Sequence, residues 1–145
     1  MNPIRIKLLN ENAVIPSYGS DEAAGADLYA CISESVCIKP GETAWIPTGI
    51  AAELPQGYAG LIFARSSLGA KRGLAPANKV GVIDSDYRGE ICVVLYNHSA
   101  IEQIVSPNER IAQLVVVPVY TPGFEIVSEL NGTRRNSGGF GSTGK

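Results

Sequence analysis

Within Gly81 to Ile91, GVIDSDYRGEI, an apolar strand runs into a polar turn and out into a second strand, so a β-hairpin is the natural expectation. It carries a carboxylate, Asp84, at the strand end and an aromatic ring, Tyr87, three residues on. A base beside a stacking platform is one use for that pair. Plain turn formation is the other, since Asp84, Ser85, Asp86 and Gly89 are all good turn formers. Arg65-Ser66-Ser67 follows the strand-like Leu61 to Ala64 and opens a segment able to make a helical turn or two, with Ser66 as N-cap and Gly73 as C-cap. A helix start offers unpaired N–H groups to an anion, so a guanidinium and two hydroxyls there form a phosphate cradle, unless Ser66 is an ordinary cap.

Three further segments carry weaker signals. In Arg134 to Gly144, RRNSGGFGSTG, glycines expose backbone N–H groups to phosphate oxygens, Arg135 supplies charge and Phe140 can cover a base. No Gly-Lys-Ser/Thr closes it, so it is not a Walker A loop, and the same composition suits a flexible linker. Asp27 interrupts the small, apolar run Ala24 to Ala30. Beside phosphates it can hold Mg²⁺ through water, because Mg²⁺ keeps several of its waters. Glu109-Arg110-Ile111-Ala112-Gln113-Leu114 opens a core strand with polar residues.

Composition removes the competing chemistries. His98 is the single histidine, which leaves no material for poly-histidine metal sites and little for serine or cysteine triads. Acid–base work falls to carboxylates. Cys31, Cys37 and Cys92 are odd in number and none is in a C-x-x-C pair, so neither a disulfide framework nor a zinc site is expected. A reducing compartment fits: the cytoplasm, or the nucleus in a eukaryotic or viral setting. A formal net charge of −2 argues against tight binding to nucleic acid, so an anionic ligand has to meet a local basic cluster. The N-terminal MNPIRIKLLNEN lacks a signal-peptide run, and the apolar stretch Leu114 to Tyr120 is broken by Pro118, so no membrane partner is expected.

The elements that must position these residues are strands. At 145 residues and 45% hydrophobic, the chain makes one globular domain that needs neither metal nor disulfide to hold it. No segment sustains helical periodicity over ten or more positions. Ile4 to Leu8, Val36 to Ile38, Thr43 to Ile50, Tyr58 to Ala64, Glu90 to Asn97, Ile101 to Val105 and Ile111 to Tyr120 are short β-branched or aromatic runs separated by Pro-Gly and Pro-Asn turn signals. That rhythm belongs to an all-β sandwich or barrel. Phe124 to Leu130 offers one more strand-like segment. Gly132 to Lys145 then holds five of the 16 glycines and no acid, which reads as a flexible basic arm.

Taken together, in this order and spacing, the five segments resemble the five motifs of the trimeric deoxyuridine triphosphate nucleotidohydrolases, the dUTPases. The resemblance covers Ala24 to Gly144. It implies an all-β, jelly-roll-like distorted barrel of the β-clip type, in a homotrimer whose C-terminal strand and arm pass between subunits. Residues 1–130 would form the catalytic domain and residues 131–145 an arm closing over a neighbour's site. The implied reaction is hydrolysis of dUTP to dUMP and pyrophosphate with Mg²⁺, which keeps uracil out of DNA and supplies dUMP for thymidylate synthesis. By the same resemblance Asp84 activates water, Tyr87 packs under deoxyribose, and Asn78, Val82, Ile83 and the backbone at Cys92 hold uracil. Arg65, Ser66 and Ser67 cradle phosphates with Gln113 in support, Asp27 reaches the metal's water shell, and Arg135 with Phe140 and Gly141 closes the site.

Two positions depart from the family pattern. Ala64 stands where Pro is usual, and Asn136 where Gly is usual. Asn tolerates left-handed backbone better than other non-glycine residues, so the second change is expected to be accommodated. Two other functions stay open at this point. A dCTP deaminase of related fold would use Glu90 after the turn, and a catalytically idle nucleotide-binding β trimer would use none of these groups for chemistry.

Overall fold

In a computed structural model, which describes residues 3–139, the chain folds into twelve strands and one helical turn. The strands are β1 (Arg5–Leu8), β2 (Ser17–Tyr18), β3 (Ala26–Tyr29), β4 (Val36–Ile38), β5 (Thr43–Pro47), β6 (Ile50–Glu53), β7 (Tyr58–Phe63), β8 (Leu74–Pro76), β9 (Gly81–Ile83), β10 (Cys92–Asn97), β11 (Gln103–Val105) and β12 (Arg110–Pro118). All pairings are antiparallel. They give a five-stranded sheet in the order β2-β3-β12-β7-β9, a three-stranded sheet β5-β10-β8, and the pairs β1-β6 and β4-β11. The all-β architecture expected from the strand rhythm is the one adopted. No helix among the described residues is long and apolar enough to cross a membrane.

One core joins the sheets. Leu28, Ile38, Ile46, Ile50, Leu74, Leu95 and Ile111 have no solvent exposure at all, and each comes from a different strand. Burying such a side chain stabilises the fold by about 1.5–3 kcal/mol, so the core fixes the strand registers on which the polar residues depend.

Local chemistry changes three expected elements. The single strand expected over Thr43 to Ile50 is two, β5 and β6. Pro47 has no N–H for a ladder, and Gly49 turns the chain at φ 68°, where a Cβ would lie 2.7 Å from both Ala13 Cβ and Cys31 Sγ. The hairpin expected over Gly81 to Ile91 is a crossing between sheets: β9 pairs with β7, while β10 pairs with β5 and β8. The turn itself forms, closed by Tyr87 N–H to Asp84 O at 3.2 Å. Third, the strand expected within Phe124 to Leu130 does not form. The last backbone bond to the body is Val119 N–H to Gly57 O, and Tyr120, Phe124, Ile126 and Leu130 beyond it are almost wholly exposed. Among the described residues no strand of this chain pairs with the segment. Strands β2 and β8, two and three residues long, gave no signal in the sequence.

Candidate active site

The proposed phosphate cradle is built on three neighbouring strands, at the end of β7. Asp27 of β3, Gln113 of β12 and Phe63 of β7 form one cross-strand row. Arg65, just past the end of β7, donates Nε–H to Asp27 Oδ1 at 2.7 Å, and Arg110 donates to Asp27 Oδ2 at 3.3 Å. Gln113 donates to Ala64 O at 3.0 Å and sits over Gly25, where a Cβ would come within 2.6 Å of its side-chain oxygen. The glycine in Ala24-Gly25-Ala26 therefore makes room for the glutamine that pins the strand before Arg65.

The helical turn after Arg65 differs in detail from the expected capped helix. Gly69 N–H bonds to Arg65 O, so Ser66 already lies inside the turn, and Ser67 makes no capping bond. Both hydroxyls are exposed and uncommitted to the backbone ends, as a phosphate ligand requires. The wide turn Leu68–Arg72 closes at Gly73, φ 66°, whose N–H reaches Leu68 O. Its C-terminal end is tied down by Arg72. That guanidinium bonds Gln103 Oε1 at 3.1 Å, Glu109 and the carbonyl of Ile104.

Asp84 directly follows β9, with its carboxylate exposed and without a hydrogen bond or ion pair among the described residues, and it borders a cleft shared with Tyr58, Ala59 and Arg88. A carboxylate in that state has both oxygens available to accept a proton from water. Tyr87 is pinned by its hydroxyl, which donates to Glu90 O at 2.9 Å. Arg88 donates to Ser85 O and Tyr87 O at 2.7 and 2.9 Å and stiffens the turn. Val82 is exposed, and β9 has one edge on β7, so its other edge is open to a base. Asn78 lies beside Gly81, and Ala77 N–H bonds Val94 O at 2.8 Å, which holds this corner against β10 near Cys92. Burial pushes the Cys92 thiol above its ordinary pKa, and Glu90 beside it pushes the same way. Cys92 is therefore a neutral wall here.

The two clusters are far apart in one chain. Ile83 pairs with Gly60, which puts Asp84 level with Ala59, whereas Arg65 lies six residues farther along β7. At 3.3–3.4 Å per residue that is about 20 Å. Arg135 belongs to neither cluster: it donates to Gly138 O at 2.8 Å within its own turn, where Asn136 adopts φ 42° as expected of Asn in left-handed backbone. Phe140 and Gly141 lie outside the described residues. Arg110, Gly25 and Arg72 were missed in the sequence. Glu109 to Leu114 flagged the region of Arg110, but a pairing with Asp27 across 83 positions leaves no local mark.

Asp27 suits an outer contact to a cation. Two of its lone-pair sites face guanidiniums, and the others can take hydrogen bonds from a metal's waters. No three His, Cys, Asp or Glu side chains among the described residues converge to ligate a metal directly, so a Mg²⁺ here would take its oxygens from phosphates and water.

An all-β chain that carries a base-bearing turn and a cationic, hydroxyl-rich cradle has the parts of a nucleotide phosphohydrolase. The family model described as dUTPase matches residues 11–144, and the chain belongs to that family. A deoxyuridine 5′-triphosphate nucleotidohydrolase of Syntrophotalea carbinolica is 48% identical over 141 residues, covering 97% of this chain and 96% of that one. Among solved structures, a variant dUTPase of Staphylococcus bacteriophage 80alpha with dUpNHpp is 29% identical, with a TM-score of 0.86 and 100% of both chains covered. A variant dUTPase from phage phi11 of S. aureus, described with a structural Mg(II) ion, is 29% identical over 88% of this chain and 98% of that one, with a TM-score of 0.80.

Proposed function

We propose that the protein hydrolyses dUTP to dUMP and pyrophosphate, with Mg²⁺, in sites assembled between copies of a homotrimer. Family membership carries the reaction. The separation of about 20 Å between Asp84 and Arg65 along β7 carries the assembly, because an attacking water and the phosphorus it reaches must be about 3–3.5 Å apart. A base and a cradle on opposite ends of one strand meet only when two chains stand side by side. The outer face of the five-stranded sheet suits such contact: Val82, Leu61 and Val115 form an apolar row next to the row of Phe63, Gln113 and Asp27. The unpaired apolar segment from Tyr120 to Leu130 suits exchange with a neighbour.

The chemistry follows from the residues. Asp84 takes a proton from water as the water oxygen bonds to phosphorus, and the bridging oxygen between the first two phosphates departs with pyrophosphate. No covalent nucleophile is required. Arg65 and the Ser66 and Ser67 hydroxyls neutralise and orient the phosphate oxygens. Asp27 would hold the water shell of a bound Mg²⁺, which would add charge neutralisation. The backbone of β9 and of Cys92, with Asn78, reads uracil's alternating carbonyl and imide edge. Cytosine reverses donor and acceptor there and leaves buried groups unpaired, which disfavours it strongly. Arg135, Phe140 and Gly141 of an arm close over the nucleotide. Three unpaired thiols fit work in the cytoplasm.

Two inactive chains, Asp84→Asn and Arg65→Ala, test the arrangement. Each alone should release almost no pyrophosphate from dUTP and Mg²⁺, and after subunit exchange activity should return. Confirmed exchange with no recovered activity would mean that base and cradle come from the same chain.

A further inference from the structure

Gly89 follows Tyr87 by two positions, and the tyrosine ring folds back over it. A Cβ at Gly89 would stand 2.4 Å from Tyr87 Oη, 2.6 Å from Cζ and 2.9 Å from Cε2, and these are its three nearest atoms. All three distances are far inside the optimal separation of nonbonded carbons, about 3.5–4.0 Å. Gly89 is not among the glycines with positive φ, so alanine meets no backbone strain there. The ring is what the added methyl strikes.

We propose that Gly89 is a positioning residue for sugar selection: the space left by its missing side chain seats the Tyr87 ring, and the preference for deoxyribose over ribose depends on that seat. This rests on the assignment of Tyr87 to the sugar. The ring is held at two points, against Gly89 and by its hydroxyl on Glu90 O at 2.9 Å. Tyr87 is 43% exposed, so a ring displaced from Gly89 has room to swing into solvent without disturbing the core. The fold then tolerates Gly89→Ala while the sugar loses its platform. Exclusion of a 2′-hydroxyl turns on the ring standing where that oxygen would go, and a shift of one methyl width is enough to admit it.

The test compares kcat/KM for dUTP and UTP in the full-length protein, wild type and three variants: Tyr87→Ala, Gly89→Ala and the double. Gly89→Ala should keep a near wild-type melting temperature and lose roughly tenfold or more of the dUTP:UTP ratio. The double variant should be no less selective than Tyr87→Ala alone. If Tyr87→Ala lowers the ratio while Gly89→Ala leaves it unchanged, or if the two losses add, the seat is refuted and the assignment of Tyr87 stands. An unchanged ratio in Tyr87→Ala instead overturns that assignment, and the seat with it. Should Gly89→Ala fail to fold, the double variant removes the ring that the methyl strikes and should fold like Tyr87→Ala; a double variant that also fails to fold shows that Gly89 is needed for something other than the ring and overturns the proposal.

Discussion

Asp84 and Asp27 are both acids near strand ends, and their surroundings suit them to opposite work. Asp84 is exposed and unpaired among the described residues, which leaves it free to accept a proton. Asn in its place keeps the shape and loses the basicity. Asp84→Asn should therefore lower kcat by about 10²–10⁴-fold with little change in dUTP binding, and a variant retaining more than about a tenth of the wild-type rate would remove Asp84 as the base. Asp27 is committed to two guanidiniums, so its loss falls on the structure of the cradle. Asp27→Ala should cost about 1.5–3 kcal/mol in urea denaturation, the range for hydrogen bonds to charged groups, because Arg65 and Arg110 are left without their counter-charge. Stability within a few tenths of a kcal/mol of wild type would mean that solvent already screens the pair.

The helical turn from Ser66 to Arg72 is too short to hold a shape by itself, and β12 together with the residue before it braces it at three points. Gln113 takes Ala64 O, Arg110 reaches Arg65 through Asp27, and Glu109 binds Arg72 at the far end. Glu109 also accepts from Ser106 N–H at 2.9 Å, which fixes the loop that leads into β12. Loosening the far end should displace Ser66 and Ser67 from the phosphates. Arg72→Gln is expected to raise KM for dUTP several-fold with a smaller change in kcat. Lys at this position should recover part of the loss, since it keeps the charge opposite Glu109 without the fork that reaches three acceptors. A variant that melts earlier at unchanged KM would show that the brace supports only stability. At this scale the sequence was informative about which segments matter and silent about the brace, because Glu109 and Arg72 are 37 positions apart.

As a whole molecule the single chain is unfinished. It leaves Tyr120, Phe124, Ile126 and Leu130 in solvent and carries half a site at each end of β7. In the proposed trimer both defects are repaired by other copies. A chain cut after Leu130 retains Asp84 and the cradle but lacks the arm, and the proposed function requires it to be inactive. Mixed with intact Asp84→Asn chains under conditions of subunit exchange, it should regain activity up to a fraction set by random assembly. If mass measurement confirms exchange and no activity returns, the arm closes over its own subunit.

The candidate groups stood out in the sequence because each sits in a short run whose residue types have few other uses together: a carboxylate and a ring within one turn, an arginine with two hydroxyls at a helix start, glycines around an aromatic. The strand rhythm was legible for a similar reason, since β-branched runs and Pro-Gly turns are local. What the tertiary structure decided is which strands meet. β9 joins β7 and β10 joins β5, so the expected hairpin became a bridge between sheets, and Asp84 was carried to the end of β7 opposite Arg65. Strand partners are chosen by burial of faces that lie far apart along the chain, and no window of sequence contains both members of such a pair.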